Sequence, residues 1–259
     1  MSSHDIVIDV DGPYPAGHAR RWLSEVPAAL APGLRSGVVC VDTDARGFEY
    51  RPLTVASVDW LLTVAAGEFN DAWVELCDGD GHDDALIVGV ERFSHRLAHT
   101  QLRAWSFLRA PEYGLAAPGV AERWAGVLRD FAAPVDPAFG HVADDSMGQG
   151  MTALDGAVVR GGRIPSARQA RRFLRGYSWI TICPAELAGR VDTTAFHEAE
   201  KLPGGALWLR ATRELAGYDE VAVRRVFEAL APVLPPGRPS RDPFDTRTRR
   251  LVWEDADRR

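Results

Sequence analysis

Ala72-Trp73-Val74-Glu75-Leu76-Cys77 and Ala85-Leu86-Ile87-Val88-Gly89-Val90 are the two runs whose reading decides the fold. Each is a short apolar stretch of the kind that forms a covered strand. Between them stands Asp78-Gly79-Asp80-Gly81-His82-Asp83-Asp84. Asp-Gly repeats suit turns, because glycine supplies positive φ and aspartate bonds its own backbone. The segment therefore reads as a β-hairpin, and a further strand is expected from Leu97 to Leu108.

Toward the N-terminus, Asp5-Ile6-Val7-Ile8-Asp9-Val10 alternates and reads as a first strand closed by Gly12-Pro13. A helix from about Gly17 would carry Ala19, Trp22, Leu23 and Val26 on one face, with Pro27 kinking or ending it. Gly37-Val38-Val39-Cys40-Val41 reads as another strand, and Thr54 can cap a helix bearing Val55, Val58, Leu61, Leu62 and Ala65. Toward the C-terminus, Val120, Trp124, Val127, Leu128 and Phe131 follow helical spacing until Pro134. Residues 134–165, rich in Gly, Asp and Pro, read as a connection or long surface loop. A short basic helix is expected from Ala167 to Leu174 and a strand from Tyr177 to Cys183. A hairpin should follow around Pro203-Gly204-Gly205. Beyond it, a helix capped by Asp219 would carry Val223, Val226, Phe227 and Leu230.

Hairpins rather than strict βαβ alternation imply an α+β fold, a mixed or largely antiparallel sheet with helices packed mainly on one face. The expected organisation is a single α+β domain over 1–237, or two similar halves joined near 134–165. An Arg/Asp/Pro-rich tail over 238–259 would have Trp253 as a tether.

Composition narrows the function classes. Hydrophobic residues make up 46% and charged residues 25% of 259, which suits a folded globular chain. No apolar run approaches the ~20 residues of a membrane span, and Met1-Ser2-Ser3-His4-Asp5 lacks the parts of a signal peptide. Cys40, Cys77 and Cys183 are widely spaced and read as buried free thiols. These features imply a cytoplasmic protein with no membrane partner. A formal charge of −6 disfavours nucleic acid, which selects a basic face. Lys201 is the only lysine among 30 basic residues, a bias that suggests GC-rich coding rather than phosphate recognition.

Several motifs fall short of chemistry. The 78–84 loop departs from an EF-hand template at its sixth position, Asp83 for glycine, and at its twelfth, Gly89 for a bidentate glutamate. His95 and His99 have zinc-ligand spacing, but Arg96 stands where a metalloprotease needs glutamate. Gly148-Gln149-Gly150-Met151-Thr152-Ala153 spells a dinucleotide fragment with no strand directly before it. Tryptophans, eight in all, read mainly as core. No catalytic, metal or cofactor residue is assigned.

Gly176-Tyr177-Ser178-Trp179-Ile180-Thr181-Ile182-Cys183-Pro184-Ala185-Glu186-Leu187 and Leu202-Pro203-Gly204-Gly205-Ala206-Leu207-Trp208-Leu209-Arg210-Ala211-Thr212 carry a resemblance. With the Asp219–Leu230 helix and Ala231-Pro232-Val233-Leu234-Pro235, they resemble bacterial immunity-like proteins associated with polymorphic and type VI secreted toxins, over residues 176–237. The resemblance implies a non-enzymatic protein that binds one cognate toxin and blocks it. No toxin-contacting residue carries over, since such contacts vary with the toxin. The residues themselves offer Asp78, Asp80, His82, Asp83 and Asp84 as a partner-binding patch for a basic toxin. Two other readings stand beside this one: an enzyme with an unmotifed site, such as a metal-assisted hydrolase, and a structural or regulatory interaction module.

Overall fold

The computed structural model describes residues 4–12, 15, 17–78, 85–93, 99–108, 110–144, 150–160, 169–240 and 250–258. Among the described residues ten strands form one sheet in which every neighbouring pair is antiparallel. In chain order they are β1 (His4–Val10), β2 (Ser36–Thr43), β3 (Gly47–Pro52), β4 (Asp71–Cys77), β5 (Ala85–Phe93), β6 (His99–Ser106), β7 (Phe139–Ala143), β8 (Ile180–Cys183), β9 (Glu198–Lys201) and β10 (Leu207–Arg210). Their order across the sheet is β3-β2-β4-β5-β6-β1-β7-β8-β10-β9. The α-helices among the described residues are α1 (His18–Leu30), α2 (Val55–Val64), α3 (Val120–Ala132), α4 (Ala153–Arg160), α5 (Ala185–Ala188) and α6 (Glu220–Leu230). This is the α+β, antiparallel architecture expected from the hairpins.

Side chains alternate across a strand, so Ile6, Ile8 and Val10 face one way while Asp5, Val7 and Asp9 face the other. The first set belongs to the main apolar core, together with Leu102, Val88, Val74 and Val39 from the neighbouring strands. Two contacts place α3 on that face: the His4 and Trp124 rings meet edge to face at 4.6 Å, and Arg210 of β10 pairs with Glu122. The α1 helix packs against α3, β4 and β5, and α2 packs against β2. The buried stripe of α1, which includes Trp22, Leu23 and Val26, removes each side chain almost entirely from water, at about 1.5–3 kcal/mol apiece.

Local signals explain most element ends. Thr54 and Ser57 form a reciprocal capping box, with Ser57 N donating to Thr54 Oγ1 at 3.1 Å and Thr54 N to Ser57 Oγ at 2.8 Å. Asp219 Oδ1 accepts from Val221 and Ala222, each at 3.0 Å, and the four expected apolar positions of α6 are buried. Gly205, at φ 91°, closes the β9–β10 hairpin at the predicted turn. The free cysteines are buried, as expected.

Three expectations need correction. Pro27 does not end α1, which runs on to Leu30; a proline this close to the C-terminus removes one ladder bond, and the buried face outweighs it. Residues 134–165 are not simply a loop, because they hold β7 in the middle of the sheet and α4. Gly140 is required there: a Cβ would stand 2.9 Å from Val7 O and 3.0 Å from Ile182 Cγ1. The described part of the 167–174 helix is a tight turn, with Arg172 N and Phe173 N both donating to Gln169 O at 2.8 Å. Tertiary pairing outcompetes helix propensity there, since Arg171 forks onto Asp11 and Glu186. Near the C-terminus, Leu251, Val252 and Ala256 are buried, and Val252 N donates to Tyr177 Oη at 3.0 Å.

Candidate functional site

The face of the sheet opposite α1–α3 has two unlike halves. Over its centre, α4 and the 169–178 segment enclose a polar cluster. Asp9, fully buried, accepts from Gln101 Nε2 at 2.9 Å, lies 3.2 Å from His99 Nε2, and pairs with Arg175. Arg175 Nε also reaches Asp155 Oδ1 at 3.4 Å, and Asp155 forms a capping box with Thr152 at the start of α4. Burial pushes the Asp9 carboxyl up, but Arg175, His99 and Gln101 outweigh it and hold the group at about 2. Asp155 is raised by its burial, against the pull of Arg175. Beside them His141 Nε2 stands 3.3 Å from Asp5 Oδ1. Asp9, Asp155 and His141 are buried and Arg175 is nearly so, and the pairs of Arg175 with Asp9 and Asp155 pin α4 and the 169–178 segment to the sheet.

The other half of this face is accessible. Strand register lays its side chains out in rows: Phe48, Asp42, Asp71 and Glu91; then Tyr50, Cys40, Trp73, Gly89 and Arg103; then Pro52, Val38, Glu75, Ile87 and Trp105. Phe48 is 59% and Tyr50 62% exposed, while Trp73, Ile87 and Trp105 are half-buried. Phe107, at 37%, continues the row of β6, its amide donating to Ala85 O. Phe48, Tyr50 and Trp73 form a mutual aromatic group, with centroids 6.3, 5.9 and 6.1 Å apart.

Charge is organised around Arg103. Gly89 leaves β5 without a side chain between β6 and β4, and Arg103 Nε lies 3.7 Å from where that Cβ would be. The guanidinium therefore crosses β5 and donates to both Glu91 Oε2 and Asp71 Oδ2 at 2.7 Å, while stacking 4.6 Å above Trp105. Burial raises the Asp71 carboxyl to about 6; Arg103 opposes that and Glu91 adds to it. Asp42 and Asp44 accept from Asn70 Nδ2 at 3.3 and 2.8 Å. Burial also pushes the Cys40 thiol beneath Tyr50 up to about 12, so it is no nucleophile. Such a surface can bind by shape, stacking and charge.

Of the residues read from sequence as a partner patch, Asp78 is exposed, directly after the end of β4. Asp80, His82, Asp83 and Asp84 lie outside the described residues, as does His95. His99 is buried against Asp9, on the sheet rather than in a zinc-binding helix. Gly150 and Thr152 of the dinucleotide-like fragment serve the entry to α4, and Gly148 and Gln149 lie outside the described residues. Among the described residues no group of three or more His, Cys, Asp or Glu side chains is placed to hold a metal ion. No described helix is long and apolar enough to cross a membrane. The aromatic face went unread. Its one legible signal was the alternation Gly47-Phe48-Glu49-Tyr50-Arg51, which sets two rings on one side of a strand.

No protein-family model matches this chain, and no curated sequence does. Among solved structures it is similar to the Pseudomonas aeruginosa T6SS protein PA0821, with a TM-score of 0.59 and 14% identity. The likeness covers 99% of this chain and 81% of that one. At this identity it is a likeness of fold alone.

Proposed function

We propose that this chain is an immunity-type protein that captures a cognate bacterial toxin and blocks it without turnover. The observation that carries the reading is the division of one sheet face. Its centre is closed by an ionic cluster and α4, while the part over β3, β2, β4, β5 and β6 is open and carries aromatic rings on β3, β4 and β6. Exposed apolar area of this kind, set among charged groups, marks a protein-binding surface. The sequence resemblance over 176–237 and the fold likeness to a T6SS protein support the same reading. Rigid strands hold the face in place, which suits capture without rearrangement.

The test is co-expression with the product of the adjacent gene, scoring growth and co-purification together. Toxicity that this chain relieves, with a stoichiometric complex, is the expected result. A harmless neighbour that forms no complex would sink the reading.

A further inference from the structure

If the open face binds a protein as proposed above, it also specifies that partner's chemistry. Across β2 to β6 its rows hold four carboxylates, Asp42, Asp71, Glu75 and Glu91, and one guanidinium, Arg103, which is already shared by two of them. Among the described residues no other base lies in these rows. The rings of Phe48 and Tyr50 stand beside the acids, with Trp73 behind them. Carboxylates next to exposed π-faces form a site for cations carried on planar or flexible stems.

From this juxtaposition we infer that the face docks a basic protein surface, whose arginine or lysine side chains lie over Phe48, Tyr50 and Trp73 and pair with Asp42, Asp71 and Glu75. A second copy of the chain is a poor occupant, because face-to-face docking would oppose like charges. Anionic lipid and nucleic acid are repelled for the same reason. Five strands ~4.8 Å apart and three side-chain rows make a panel of roughly 400–500 Å², about half of what one partner gives up in a standard interface. The panel is thus the centre of an interface, and Asp78 stands at its rim.

The test uses the full chain with two probes. The first is the neighbouring gene's product, and the variants are Phe48→Ser/Tyr50→Ser and Glu75→Lys. Phe48 and Tyr50 are well exposed, so the double variant should fold, and circular dichroism checks this. Loss of two aromatic anchors should weaken binding about 30-fold or more. Glu75→Lys should slow association and flatten its salt dependence. The second probe is an arginine-rich peptide, followed through the indole N–H signals of all eight tryptophans. Trp73 and Trp105 should shift, while the buried Trp22 and Trp124 should not. A complex that both variants leave intact overturns the docking face but spares the immunity reading. Peptide shifts at Trp73 and Trp105 without any complex do the reverse. A dimer split by Phe48→Ser/Tyr50→Ser would assign the face to a second copy and overturn the inference.

Discussion

Replacing Arg175 with methionine tests the claim that the buried ionic cluster pins α4 and the 169–178 segment to the sheet. The substitution keeps most of the side-chain volume and removes the charge. Among the described residues Asp9, fully buried, would keep His99 and Gln101 as partners, and Asp155 would lose its guanidinium. Removing one member of a buried pair costs about 3–5 kcal/mol, because the other charge is left uncompensated. That is a large share of the ~5–15 kcal/mol that holds a domain together, and corresponds to a melting point about 6–20 °C lower. The deficit should depend on pH. Asp155 has a raised folded pKa, and losing Arg175 raises it further, so the unfolded chain releases that proton first as pH rises. Stability tied to such a group is lost with rising pH; the deficit should therefore be smaller at about pH 5.5 than at about pH 8. Urea titrations of wild type and Arg175→Met at both pH values measure it. An unfolding free energy at about pH 8 within ~1 kcal/mol of wild type would refute the pinning role.

Further outcomes follow from single sites. His4 is lowered by burial to about 4 from 6.5, so the unfolded chain takes up its proton first as pH falls. Stability should then drop between about pH 6.5 and 4, by up to about 3 kcal/mol, and His4→Gln should flatten that slope in thermal melts. Gly140→Ala forces a Cβ against Val7 O and Ile182, and should cost about 1–3 kcal/mol in chemical denaturation; a neutral result would mean that β7 and β8 are looser than described. Reversing charge at Asp78, Asp80, Asp83 and Asp84 together should weaken binding of the proposed basic partner and its salt dependence. Unchanged affinity would remove the hairpin loop from recognition.

Periodic, local signals were the ones that could be read. The stripe of α6 and the Thr54 cap are complete within a few residues, and both stand where expected. The hairpin runs at 72–77 and 85–90 carry their own turn signal between them. β7 was illegible because Phe139-Gly140-His141-Val142-Ala143 carries no alternation of its own; its glycine and histidine make sense only against Val7, Ile182 and Asp5. The ionic cluster joins residues 9, 101, 155 and 175, which no window connects. Trp73 and Trp105 looked like core residues. Whether a strand's second face is covered depends on what the rest of the chain lays over it, and here nearly half of that face is left accessible.

The position of β1 also governs how the protein assembles. It lies between β6 and β7, so its partners begin at His99 and Phe139. While the ribosome is still producing those segments, Ile6, Ile8 and Val10 have no neighbours to hydrogen-bond. The hairpin-linked strands β2 to β6 can pair locally, but joining the two sides of the sheet waits for long-range closure through β1. Closure of the sheet through β1 should therefore be slow, and it waits until β7, which ends at Ala143, has been made. During that interval an apolar strand with both edges free is the segment a chaperone would have reason to hold.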